Sequence, residues 1–186
     1  MSQRVVVLFA STHGHTHKIA ERIGERLVGE GVVPSVRSVK EYGSVCDLGK
    51  YDGAIIAASV HGGHHQKEMV AFIAAHHTQL NAMPSAFVSV SLTAADDTDE
   101  AREAVRGLID DALAGTQWTP RVTLPVAGAL QFEEYGLPTR VLMRLIARRH
   151  DSEVDLHHDT DYTDWAAVDR FARDFAATLR TAEVRS

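Results

Sequence analysis

The chain has 186 residues, of which 45% are hydrophobic and 24% are charged, and its formal net charge at pH 7 is −6. This length predicts one domain, residues 1–186, that buries its core without a disulfide or a metal. The acidic balance argues against a nucleic-acid-binding protein, and the single cysteine excludes an internal disulfide. No apolar run is long enough for a membrane-spanning helix, and the apolar stretch at the start is too short for a signal peptide, so we expect a cytoplasmic protein.

Strands and helices alternate along the chain. Short apolar runs, rich in β-branched residues, predict five buried strands at 4–10, 33–39, 53–60, 85–91 and 123–129. Apolar residues at helical spacing indicate a helix after the first strand, and its inward residues are Ile19, Ile23 and Leu27. Further helices are predicted at 66–76, 99–113 and 164–179, the last with Thr163 or Asp164 as its N-cap.

This alternation predicts an α/β fold. It is typical of a three-layer sandwich in which helices cover both faces of a five-stranded parallel sheet. A small, polar loop at residues 11–16 directly follows the first strand. Five strands with an anion-binding type of loop in that position favour the strand order 2-1-3-4-5.

A long insertion separates the fifth strand from the last helix. It covers about residues 130–162, whereas ordinary connections have about 2–6 residues. Its middle, about 138–150, is predicted to be a basic amphipathic helix with an apolar side and a row of arginines at i, i+4 and i+8. The row consists of Arg140, Arg144 and Arg148. It is a candidate contact for an anion or for a membrane surface, and a solvated helix face is the plainer alternative.

The loop after the first strand is the strongest candidate site. It joins a buried strand to a helix N-terminus, where free backbone N–H groups and the positive end of the helix dipole favour an anion. Its hydroxyl groups add donors, and a glycine lets the backbone approach the ligand. The loop consists of Ser11, Thr12, His13, Gly14, His15 and Thr16. It matches neither the GxxxxGK[ST] nor the GxGxxG pattern, so we expect a phosphate monoester here, with a plain turn as the alternative.

Two further loops end strands at the same edge of the predicted sheet. The second loop contains Ser59, Val60, His61, Gly62 and His64, and the third contains Ser91, Leu92 and Thr93. In an open α/β sheet, ligands bind beyond the carboxyl ends of the strands. Two small, polar loops can clasp a flat heteroaromatic ring while the first loop holds its phosphate. This combination specifies FMN better than a nucleoside triphosphate.

Eleven histidines raise the question of a metal site. The chain has no HExxH motif and no cysteine pair, so no metal site is predicted. The imidazoles are expected to be solvated or to face a ligand. The nucleophile motif GxSxG of hydrolases is absent as well.

Several stretches resemble a known family. The loop at 11–16 is similar to the phosphate loop of flavodoxins, roughly [ST]-x-T-G-x-T, with His13 in place of the threonine at the third position. The long insertion and the stretches 58–64, 80–87, 127–130 and 162–165 resemble the flavodoxin-like, menaquinone-dependent protoporphyrinogen IX oxidases. The resemblance covers essentially the whole chain and implies a flavodoxin-like fold.

This resemblance implies an FMN enzyme of haem biosynthesis. It would oxidise protoporphyrinogen IX to protoporphyrin IX and pass the electrons to a quinone, as a peripheral protein on the inner face of the cell membrane. The row of arginines in the insertion would pair with the substrate's propionates or with anionic lipid. A small FMN electron carrier and an FMN-dependent quinone reductase for another substrate are the alternatives.

The catalytic base is left open. The oxidation must also remove protons from the substrate, and three histidines of the second loop are candidates that the sequence does not rank. They are His61, His64 and His65. The physiological quinone and the oligomeric state, including a homo-oligomer, are left open too.

Overall fold

The computed structural model describes residues 2–130 and 160–183. The strands are β1 Arg4–Ala10, β2 Val33–Ser38, β3 Gly53–His61, β4 His64–His65, β5 Ser85–Ser91, β6 Val122–Ala127, β7 Ala129–Leu130 and β8 Thr160–Asp161. The helices are α1 His15–Gly29, α2 Val39–Tyr42, α3 Lys67–Ala82, α4 Asp99–Leu113 and α5 Trp165–Glu183. These elements confirm the predicted α/β fold.

The main sheet has five parallel strands in the order β2-β1-β3-β5-β6. With the two-residue β4 left out of the count, this is the predicted order 2-1-3-4-5. Strand β1 lies between β2 and β3, so that Val7 is paired with Val36 on one side and with Ile55 on the other. The edge strands β2 and β6 each contain a proline, Pro34 and Pro125, which the middle of a sheet would not tolerate.

The predicted strand count is wrong. The sheet has six strands because β4 folds back on β3 in antiparallel pairing, and β7 and β8 form a ladder of their own. Two-residue strands are too short to leave a periodic signal in the sequence. The hairpin between β3 and β4 turns through Gly62 and Gly63, which have φ of 59° and 84°. Such a tight hairpin turn needs two residues at positive φ, which glycine provides.

Two apolar layers enclose the sheet. The face that carries Val5 and Val7 packs against α1 and α5, and the face that carries Val6 and Leu8 packs against α3 and α4. Because both faces of β1 are covered, its apolar run is continuous rather than alternating. The carboxyl ends of the strands therefore meet at one edge, held by a core in which all four of these side chains are fully buried.

The segments on both sides of residues 131–159 lie close together. Leu130 pairs with Thr160 in the β7–β8 ladder, and Asp164 caps α5 by accepting the Ala167 N–H at 2.9 Å. Asp164 is thus the N-cap of the two predicted alternatives. The predicted helix at 138–150 lies outside the described residues. In the part that is described, no helix is both long and apolar enough to cross a bilayer.

Candidate functional site

A cleft of about 680 Å³ opens at the carboxyl ends of β1, β3 and β5. Its volume suits a cofactor-sized ligand. All three predicted loops contribute to its lining: Ser11, Thr12, His13, His15, Thr16, Ser59, Val60, His61, Gly62, Ser91, Leu92 and Thr93. Two predicted residues, Gly14 and His64, are not part of the lining. Gly14 shapes the turn instead, and His64 lies exposed on the hairpin.

The first loop ends in a glycine whose backbone conformation starts α1. Gly14 is the N-cap of α1 and has φ 84°, a left-handed conformation that favours glycine. Its N–H donates to the Ser11 Oγ at 2.9 Å, and its carbonyl accepts the Lys18 N–H at 3.2 Å. The loop is therefore held by its own hydrogen bonds. The first turn of α1 begins at the wall of the cleft, where the helix dipole favours an anion.

Thr16 tests whether this loop fits a phosphate. The residue is 1% exposed, and its Oγ1 has no hydrogen-bond partner in the part of the chain that the structure describes. Buried hydroxyl groups are nearly always paired, and an unpaired one costs about 1–3 kcal/mol. Thr16 also lines the cleft. A phosphate oxygen would satisfy this hydroxyl, so the residues present fit a phosphate monoester.

His15 connects the first loop to the start of α5. Its Nε2 lies 2.7 Å from the Thr163 Oγ1, which itself donates to the Ala127 carbonyl at 2.8 Å. Because the single hydroxyl proton of Thr163 is used, Nε2–H of His15 must be the donor. Burial lowers the pKa of His15, while the Asp161 carboxylate at 3.5 Å opposes this shift. One ring nitrogen of His15 thus forms a hydrogen bond that positions the first loop against the start of α5.

The hairpin of the second loop is anchored by His65. This residue is 5% exposed, and its Nε2 lies 2.9 Å from the Ser89 Oγ. Burial lowers the pKa of His65 to about 4, so the imidazole is neutral near pH 7. Of the three histidines considered as bases, only His61 is part of the cleft lining.

The sequence analysis missed one wall of the cleft, which helix α4 provides. Its contribution is a stripe at i, i+3, i+4 and i+7: Ala104, Gly107, Leu108 and Asp111. The spacing is visible in the sequence, but these residues lie beside the buried face of α4, and the pattern is that of an ordinary amphipathic helix. Four further lining residues were missed, namely Gly63, Val90, Gly128 and Ala129. The predicted contacts Arg140, Arg144 and Arg148 lie outside the described residues.

Comparisons with known proteins agree with this architecture. The family model described as a flavodoxin domain matches residues 6–157. The chain is 36% identical over 177 residues to the protoporphyrinogen IX dehydrogenase (quinone) of Leishmania major, covering 95% of this chain and 76% of that protein. It is 31% identical over 173 residues to the protein of the same name from Escherichia coli K12, covering 93% and 94%.

A solved structure supports the fold independently. The crystal structure of oxidised Flavodoxin 2 from Bacillus cereus superposes with a TM-score of 0.54 at 19% identity, covering 94% of this chain and 99% of that one. At this identity the likeness concerns the fold alone. The family model and the two relatives cover most of the chain, so the chain belongs to the flavodoxin domain family and, within it, to the group of the quinone-dependent protoporphyrinogen IX dehydrogenases.

Proposed function

We propose that this protein is an FMN-dependent oxidoreductase that converts protoporphyrinogen IX to protoporphyrin IX and uses a quinone as electron acceptor. The observation that carries the proposal is the cleft, where a helix N-terminus and the buried, unpartnered hydroxyl of Thr16 meet two further strand-end loops. The relatives whose sequences are similar to this chain over most of their length carry the name of that reaction. Family membership gives a flavin as the cofactor class, and the phosphate-type loop argues for FMN.

The three loops divide the binding of FMN between them. The first loop would hold the phosphate through its backbone N–H groups and the hydroxyls of Ser11, Thr12 and Thr16. The hairpin would place His61 and Gly62 against one side of the ring, and the loop that contains Leu92 would cover the other side. When bound, FMN supplies a ring that accepts electrons from an organic substrate and passes them to a quinone.

The remaining part of the cleft suits a second, flat molecule. Ala104 and Gly107 have small or no side chains, so α4 leaves space beside the loops, and the half-buried Leu108 provides an apolar contact. A macrocycle could enter there next to the ring. We keep the row of arginines in the insertion as the proposed partner of the substrate's propionates or of a membrane surface. This row and a peripheral position at the membrane are proposals from the sequence.

Anaerobic turnover tests the function. Protein loaded with FMN is mixed with protoporphyrinogen IX and a quinone, and the growth of porphyrin fluorescence is followed. We expect fluorescence to grow only when both FMN and quinone are present. Protein stripped of FMN is the control for spontaneous oxidation. If the FMN-loaded protein produces porphyrin no faster than this control, the assigned reaction is wrong. A small FMN electron carrier, or an FMN-dependent quinone reductase that acts on another substrate, then becomes the better account.

A further inference from the structure

Gln66 connects two loops of the cleft although it does not line the cleft itself. It precedes α3, and its side-chain Nε2 donates to the Thr12 Oγ1 at 3.2 Å and also to the Ser59 Oγ. Thr12 belongs to the first loop and Ser59 to the second, and both line the cleft. A single carboxamide nitrogen therefore fixes the two hydroxyl groups relative to each other.

The backbone position of Gln66 makes this contact unexpected. Gln66 is the N-cap of α3, with φ −59° and ψ 130°, and its side chain forms no capping hydrogen bond. Ser, Thr, Asp and Asn are preferred at this position because their short side chains cap the helix, and replacing them by a non-capping residue typically costs about 1 kcal/mol. The side chain of Gln66 reaches to the loops instead of capping α3. Local rules are commonly broken in this way at functional sites.

The carboxamide oxygen adds a second observation. The Oε1 atom of Gln66 is buried and accepts no hydrogen bond from any residue within 2–130 and 160–183. A buried acceptor without a donor is costly. The amide group thus lies where its Nε2 donates two hydrogen bonds, although its Oε1 is left without a donor among the described residues.

These two hydrogen bonds determine what the hydroxyls can do. A hydroxyl group has one proton to donate and two lone pairs that accept. Because the hydroxyl oxygens of Thr12 and Ser59 each accept a hydrogen bond from Gln66, their own protons are free to point elsewhere. Donation to an anion gives the strongest such bond, and the accepted hydrogen bond polarises the hydroxyl further.

We infer that Gln66 is a positioning residue that commits the hydroxyls of Thr12 and Ser59 as donors to the phosphate of the cofactor. This inference rests on the proposed function, because it requires FMN in the cleft. It explains how a first loop without lysine or arginine can discriminate a phosphorylated flavin from an unphosphorylated one.

Comparing FMN with riboflavin tests the inference. The dissociation constants of both flavins are measured by quenching of flavin fluorescence on the apoprotein. Gln66→Leu removes the donor and keeps the side-chain volume. We expect it to raise the dissociation constant of FMN at least about tenfold and that of riboflavin by no more than about twofold. Gln66→Glu is isosteric and can only accept, so it turns both hydroxyl protons toward itself. It should raise the dissociation constant of FMN at least as much as Gln66→Leu does.

Two controls separate positioning from general damage. Gln79→Leu makes the same chemical change at an exposed position within α3 and should leave the affinities for both flavins unchanged. In a Thr12→Val, Ser59→Ala background, Gln66→Leu should have no further effect on FMN, because the hydroxyls through which it acts are gone. Thermal unfolding of each apoprotein confirms that the variants are folded.

The outcomes are distinguishable. Equal weakening of FMN and riboflavin by both Gln66 variants would mean a purely structural role and would overturn the inference. Unchanged FMN affinity would overturn it as well. If the unaltered protein binds neither flavin, the proposed function fails and the inference falls with it. If the unaltered protein prefers FMN and the variants keep that preference, only the inference fails.

Discussion

Replacing Thr16 by valine removes one oxygen atom from the wall of the cleft and leaves the shape of the side chain almost unchanged. In the protein without cofactor, the lost hydroxyl is buried and unpartnered among the described residues, so its removal relieves a cost of about 1–3 kcal/mol. We therefore expect the Thr16→Val apoprotein to be at least as stable as the unaltered one. With cofactor, the same hydroxyl would donate to a phosphate, a charged acceptor.

A hydrogen bond to a charged group contributes about 1.5–3 kcal/mol, so the dissociation constant of FMN should rise about 10- to 150-fold in Thr16→Val. Urea unfolding of the apoprotein and flavin titration measure the two effects separately. Thr178→Val is the matched control, because the Thr178 hydroxyl on α5 already donates to the Phe175 carbonyl at 2.7 Å. It should leave the FMN affinity unchanged and should not stabilise the apoprotein.

The opposite signs of the two effects make the prediction refutable. If Thr16→Val lowers the stability of the apoprotein by more than about 1 kcal/mol, the hydroxyl has a partner before the cofactor binds. If the variant binds FMN as tightly as the unaltered protein does, the phosphate does not lie at the N-terminus of α1.

Three further predictions concern the framework. Gly53→Ala should lower the free energy of unfolding by about 1–3 kcal/mol, measured in urea, since its Cβ would lie 2.7 Å from the Leu179 Cδ2; an unchanged midpoint would contradict the packing. Burial lowers the pKa of His65 to about 4, so between about pH 6.5 and pH 4 this histidine is protonated in the unfolded state but neutral in the folded one. The free energy of unfolding should therefore decrease as the pH is lowered from about 6.5 to about 4. His65→Gln should show a shallower fall, and an equal slope would contradict this. Asp169→Asn should destabilise the protein near pH 7 but less at acid pH, because Arg22 at 2.8 Å lowers the pKa of this carboxyl; denaturation midpoints at both pH values measure it, and an equal loss at both would contradict the ion pair.

Central elements could be predicted closely because one strong pattern determines each of them. The run in β1 is buried on both faces, and the observed strand Arg4–Ala10 has the predicted bounds. Helix α4 also has its predicted bounds, from Asp99 to Leu113. The prediction for α3 ended six residues early, at 76 rather than at Ala82. Its last buried residue, Leu80, lies a full two turns after Ile73, and the residues between them carry no apolar pattern.

The position of the candidate site could be predicted from the sequence, but not all of the residues that form it. Strand-end loops of a parallel sheet must meet at one edge, and this geometry brought twelve of the fourteen predicted cofactor contacts into the cleft lining. The tasks of Gln66, His15 and His65 depend on side chains that reach across to other elements. Such contacts leave no periodic pattern along the chain. They arise only when the fold places the elements side by side.

The most direct test of the account is a titration of the apoprotein with FMN and, in parallel, with riboflavin. The account predicts that one FMN binds per chain and that riboflavin binds distinctly more weakly, since the first loop contributes only to the phosphorylated flavin. Equal affinity for the two flavins, or no binding of either, would contradict it.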